Sequence, residues 1–132
     1  MRVAIPAEIS NAETRVAATP ETVKKLVGLG ALVTVQAGAG TASGITDAEY
    51  ETAGATIASD AAAALSDADL VLKVRRPEAA ELGRMKRGAS VIATMDPYGQ
   101  EAALNAMAQA GIHAFAMEFM PRITRAQVMD VL

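Results

Sequence analysis

At 132 residues, 52% of them hydrophobic, only 3% aromatic and none of them Cys, the chain is long enough for one domain with a buried core. It has no disulfide framework, thiolate chemistry or cysteine metal site, and a net charge of -3 with 20% charged residues excludes the basic face that nucleic-acid binders carry. The opening MRVAIPAEIS lacks a signal-peptide core and no apolar run nears the ~20 residues of a membrane helix, which excludes direct membrane insertion and makes the cytoplasm the expected compartment.

In chain order, Arg2-Val3-Ala4-Ile5-Pro6 reads as a short strand whose unbroken apolar character fits burial on both faces. A polar loop from Glu8 to Arg15 follows. Thr19-Pro20 supplies an N-cap and a proline for the first helical position, so a helix runs from Pro20 to about Leu29, with Val23, Leu26 and Val27 inward and Gly30 beyond its end. Leu32 to Ala37 is the second strand. Thr46-Asp47-Ala48-Glu49 has capping-box spacing and opens a helix that Gly54 ends. Ala55 to Ala58 is a small strand, and Ser59-Asp60 caps an alanine-rich turn through Leu65. Leu70 to Val74 is a strong strand, Pro77 opens a helical piece, and Ser90 to Met95 is the next strand, turned by Asp96-Pro97. A helix spans Tyr98 to Ala110 and Gly111 caps it. The apolar run Ile112 to Phe119 is a buried closing strand, after which Met120-Pro121 breaks the chain and Thr124 caps a last helix.

Strands alternating with helices, without linker, low-complexity tract or internal repeat, predict one domain over residues 1–132. Its class is α/β, a doubly wound, mostly parallel sheet in three layers of the flavodoxin-like or Rossmann-like kind. Crossovers of one hand put all carboxyl strand ends on one edge, where such sheets bind ligands. Glu8, Arg75, Arg76, Asp96 and Arg122 follow strand ends, and Arg15 lies on the loop leaving the first strand. The last helix has no stop signal through Leu132, so the chain reads as the opening portion of a longer protein.

The best site candidate is the set Arg122, Gln127 and Asp130 just past the closing strand. A guanidinium fork, an amide and a carboxylate can fix a planar carboxamide, and Gln127 and Asp130, at i and i+3, face one way. A solvated helix start is the plainer reading. Arg75-Arg76 is either a charged turn or a pair of forks for a carboxylate or phosphate, and Arg15 stands the same way, so Arg15 and Arg75 are possible rim residues. Asp96 before Pro97 is a turn former first and a general base second. His113, the one histidine, reads as structural, and no metal site or Ser or Cys nucleophile with a His base is legible. Gly38-Ala39-Gly40-Thr41-Ala42-Ser43-Gly44 has the wrong spacing for a dinucleotide fingerprint and no helix aimed at its glycines, so it reads as a plain turn.

Several of these stretches resemble a known family. Arg2 to Glu8, Glu13 to Ala17, Thr19-Pro20, Gln36 to Gly40, Ile45-Thr46-Asp47 and Lys73-Val74-Arg75 are similar to the N-terminal domain shared by alanine dehydrogenases and proton-translocating nicotinamide nucleotide transhydrogenases. Ala116-Met117-Glu118 and Met120 through Gln127, with Met129-Asp130, resemble the transhydrogenase alpha subunit in particular. Alanine dehydrogenases have a substrate-binding lysine where this chain has Arg75 and a catalytic histidine where it has Asp96. The resemblance implies the opening portion of an NAD(H)-binding subunit, inactive by itself, in an enzyme that passes hydride between NAD(H) and NADP(H) and couples this to proton movement. It implies Arg122 and Asp130 holding the nicotinamide carboxamide, Gln127 toward the second cofactor, and no catalytic proton-transferring residue. NAD(H) would be completed by later sequence and NADP(H) carried on a partner domain. Further implied partners are the membrane domain and a second copy in the full enzyme, with the whole peripheral to the inner membrane. The rivals are the substrate domain of an alanine-dehydrogenase-like oxidoreductase and a non-catalytic α/β interaction module.

Overall fold

Alternating apolar and capped segments form six strands and five short helices in the computed structural model, which describes residues 1–10 and 12–119. The strands are β1 (Arg2–Ile5), β2 (Leu32–Gln36), β3 (Thr56–Ala58), β4 (Leu70–Arg75), β5 (Ser90–Thr94) and β6 (His113–Ala116). They make one sheet in the order β3-β2-β1-β4-β5-β6 with every pairing parallel. The doubly wound class expected from the sequence is what forms, and among the described strands it is wholly rather than mostly parallel.

Strand alternation divides the core. Val3, Ile5, Val33 and Val35 pack with Val23 of α1 (Pro20–Gly28) and Tyr50 of α2 (Asp47–Thr52). On the opposite face Val71, Val91 and Ala93 pack with Leu65 of α3 (Ala61–Leu65), Leu82 of α4 (Ala79–Leu82) and Met107 of α5 (Glu101–Gln109). Short helices depend on their ends, because orphan N–H groups make up much of each one. The Thr19 hydroxyl accepts from Thr22 N, Thr46 and Glu49 form a reciprocal capping box, and Asp60 accepts from Ala63 N. Tyr50 is fully buried and satisfies its hydroxyl by donating to the Ala18 carbonyl at 2.6 Å, which ties α2 to the segment entering α1.

Three boundaries differ by two residues or more from the sequence reading, and one burial expectation is overturned. Gly99 at φ +74 and the bond from Gln100 N to the Pro97 carbonyl keep Tyr98 in a turn, so α5 starts at Glu101. Helix α4 starts at Ala79, behind a capping box of Glu78 and Glu81. The closing strand ends at Ala116, and Met117–Phe119 turn as a 3₁₀ helix. Nor is that strand buried: His113, Ala114 and Phe115 are exposed. The reason is position. β6 is the edge of the sheet and pairs only with β5 among the described strands.

Candidate functional site

Strand order reverses between β1 and β4, whose following segments diverge to opposite faces, and a crevice opens outside their carboxyl ends. Glu8, three residues past β1, crosses that gap. Its carboxylate accepts from the backbone N–H groups of Val74 at 3.1 Å and Arg75 at 3.0 Å. Below it lies Lys73, whose Nζ is 3.5 Å from Glu8 and 3.0 Å from Glu81 of α4, with the three side chains 2%, 3% and 1% exposed in that order. Alternation along β4 sends Lys73 to the α4 side of the sheet, where the Glu81 carboxylate already accepts from Glu78 N. Both acids and the ammonium are therefore engaged, and the cluster joins β1, β4 and α4 rather than offering a free acid or base.

Glu13 is the second centre of charge. Its Oε1 accepts from Arg15 Nη2 and Arg75 Nε, both at 2.8 Å, and its Oε2 from Arg15 N and Nε. The structure thus brings Arg15 and Arg75 together through one acid whose side chain is 3% exposed, while the arginines are 68% and 54% exposed. Hydrogen bonding from the Arg15 side chain, above all, holds the Glu13 carboxyl down to about 2 against the opposing effect of burial, with help from the Arg15 backbone N–H and Arg75. A depressed folded-state value means the unfolded chain binds the proton more readily. Stability from Glu13 is accordingly complete above about 4.5 and is lost as pH falls from there toward 2. Acid titration of the denaturant midpoint is expected to show a fall across that window in the wild type and a flatter course in Glu13→Gln. Equal slopes in the two proteins would exclude this assignment.

Arg76 is placed differently from its sequence readings, whereas Asp96 stands in the turn that the sequence assigned to it. Arg76 Nη1 donates to the carbonyls of Met95 at 2.6 Å and Asp96 at 3.2 Å, so it pins the turn after β5. Asp96 adopts φ 45, left-handed for a residue with a side chain. Glu118, in the 3₁₀ turn after β6, takes the N–H groups of both Met95 and Asp96 with its two carboxylate oxygens. Burial opposes the charged form of Glu118, but these N–H donors, its own N–H and nearby Arg76 outweigh it and hold the carboxyl below the usual range. The Thr94 hydroxyl donates to the Val74 carbonyl beside this turn.

Two clefts of about 530 Å³ each open at this edge, one on either face of the sheet. One is lined by Glu8, Lys73, Arg75, Arg76 and Asp96, the other by Arg15, Thr19, Leu72, Ile92, Thr94 and Met117. The glycine loop after β2 offers no phosphate cradle. Gly38 N donates to Asp47 Oδ1 at 2.9 Å, a carboxylate standing where an anion would have to go, and a Cβ at Gly40 would lie 2.8 Å from that of Ile45. This loop therefore does not fit a dinucleotide pyrophosphate. Arg122, Gln127 and Asp130 lie outside the described residues; as a donor set they fit a carboxamide, with the guanidinium for its oxygen and the carboxylate for its N–H groups.

Lys73, Glu81, Glu13 and Glu118 were not singled out from sequence as site residues. Lys73 and Glu118 each interrupt an apolar run, and a charge inside a strand-like run is a signal for a buried partner. Nothing local named those partners.

A family model described as the alanine dehydrogenase/PNT N-terminal domain matches residues 4–132. An NAD(P) transhydrogenase subunit alpha chain of Rhodospirillum rubrum is 50% identical over all of this chain and 36% of its own length. A transhydrogenase structure from Sinorhizobium meliloti superposes with a TM-score of 0.96 at 56% identity, covering 100% of this chain and 39% of that one. An L-alanine dehydrogenase structure gives 0.85 at 30% identity, over 89% and 32%. The chain thus spans little more than a third of these transhydrogenase relatives.

Proposed function

The chain belongs to the alanine dehydrogenase/PNT N-terminal domain family, and from that premise we propose that it is the opening portion of the NAD(H)-binding alpha subunit of an NAD(P) transhydrogenase. The observation that carries this reading is similarity to transhydrogenases across the whole chain, at 50% in sequence and 56% in a superposed structure, against 42% in sequence and 30% in structure, each over 89%, for alanine dehydrogenases. The edge chemistry agrees with it. Arg75, where alanine dehydrogenases have lysine, is bound to Glu13, and Asp96, where they have histidine, sits in a turn held by its backbone.

When bound, NAD(H) supplies the hydride at its nicotinamide ring. This chain's role is to hold and orient that ring, Arg122 donating to the carboxamide oxygen and Asp130 accepting from its N–H groups, with Gln127 toward the domain that carries NADP(H). Hydride passing directly between aligned rings requires positioning and no protein acid or base. The pyrophosphate is held by the remainder of the subunit. The NADP(H)-binding domain, a membrane domain that couples transfer to proton translocation, and a second copy of the subunit complete the assembly, cytoplasmic and peripheral to the inner membrane. Among the described residues no helix is long and apolar enough to cross a membrane.

The test uses the complete native subunit with its NADP(H)-binding partner. Hydride transfer from NADH to NADP⁺ is expected, with no alanine-dependent reduction of NAD⁺. Alanine-dependent reduction would instead support the substrate-domain alternative.

A further inference from the structure

The turn after β5 is held from both sides by groups that the proposed chemistry does not use. From just past β4, Arg76 donates to the carbonyls of Met95 and Asp96. From the end of β6, Glu118 takes the N–H groups of the same two residues. Asp96 keeps its left-handed backbone inside this double grip, and such a conformation persists only where its surroundings over-determine it. Phe119 adds a further tie by meeting Tyr98 edge to face, with ring centroids 6.4 Å apart. The N–H and carbonyl groups of one dipeptide are thereby all engaged by two side chains from its neighbours in the sheet.

Glu118 stands four residues before Arg122. We propose that Glu118 is a positioning residue for hydride transfer: by binding the Met95 and Asp96 amides it fixes the point and direction at which the chain leaves β6 toward Arg122, Gln127 and Asp130. The inference rests on the function proposed above. Without Glu118, two adjacent amides lose their acceptor, and the Met117–Phe119 turn loses its tie to the end of β5. Direct transfer between rings is sensitive to displacement, a shift of about 1 Å being worth on the order of a hundredfold in rate.

The experiment compares wild type, Glu118→Ala, Glu118→Gln and Thr46→Ala in the complete NAD(H)-binding subunit. Thr46→Ala removes the capping box of α2 and so weakens the fold away from this edge, controlling for loss of stability alone. Two readouts are taken: amide hydrogen exchange at Met95 and Asp96 without nucleotide, and kcat and KM for hydride transfer with the NADP(H)-binding partner present. Glu118→Ala is expected to speed exchange at both amides by about tenfold or more and to lower kcat by roughly a hundredfold with KM for NADH little changed. Glu118→Gln, which keeps one acceptor oxygen, falls between, and Thr46→Ala leaves kcat unchanged. The inference is overturned if Glu118→Ala leaves either the two amides or kcat within about twofold of wild type, or if Thr46→Ala lowers kcat as much. A wild-type subunit that transfers no hydride overturns the functional reading and this inference with it, whereas an active wild type with an equally active Glu118→Ala overturns the inference alone.

Discussion

Replacing Lys73 by Met is expected to destabilise the chain by roughly 3–5 kcal/mol, a large part of the stability of a domain this size. Its ammonium sits between Glu8 and Glu81, with all three side chains buried. Methionine matches its length but removes the one cation, leaving two carboxylates close together and away from water. Glu8 keeps its bonds from Val74 N and Arg75 N, and Glu81 keeps the one from Glu78 N. Those N–H groups satisfy lone pairs but do not neutralise charge, so the cost remains. Urea unfolding followed by circular dichroism measures it. The double variant Lys73→Met, Glu81→Met removes one orphaned charge at similar volume and is expected to regain part of the loss, since buried ion clusters exchange for apolar groups more cheaply than they lose a single partner. A Lys73→Met chain within about 1 kcal/mol of the parent would mean that the cluster is hydrated and that its burial does not set its energetics.

Arg122→Ala and Asp130→Ala in the complete subunit are each expected to lower hydride transfer by about two orders of magnitude, the scale associated with losing one fixed donor or misplacing a reacting ring. In the proposed function the two residues make complementary bonds to one carboxamide. Losing either frees the ring to rotate out of alignment with the second nicotinamide, and the double variant should therefore fall little further than the worse single one. NADH affinity is expected to change less than the rate, because in the proposed function the rest of the subunit holds the pyrophosphate and adenosine. Steady-state rates with stopped-flow binding separate the two quantities. Single variants that transfer hydride within about twofold of wild type would remove these residues from the site, leaving the solvated helix start as their reading.

Much of the fold was legible because its signals are local. The Thr19-Pro20 start, the Thr46 and Glu49 capping box and the Asp60 cap each involve residues within three positions of one another, and all three form. The unbroken apolar run at Val3 to Ile5 implied a strand covered on both faces, and the alternation of elements implied mostly parallel pairing. The same logic misjudged β6: an apolar run states what a strand can bury, whereas its place at the sheet edge determines what it does bury, so Phe115 stays exposed. Arg76 was legible as a cation beside the ligand edge but not as a clasp on the Met95 and Asp96 carbonyls.

By itself, then, the sequence determined the class of fold, the caps at Thr19, Thr46 and Asp60, and which edge carries the charged rim, because helix, strand and turn preferences act over a few residues. Tertiary structure alone decided the order β3-β2-β1-β4-β5-β6 and the partners of the charges on that rim. Glu8 meets the Arg75 backbone across 67 positions and Glu13 meets the Arg75 side chain across 62. No local pattern encodes such pairings; they follow from crossovers that bring the ends of β1 and β4 together, after which burial selects the charges that can satisfy one another.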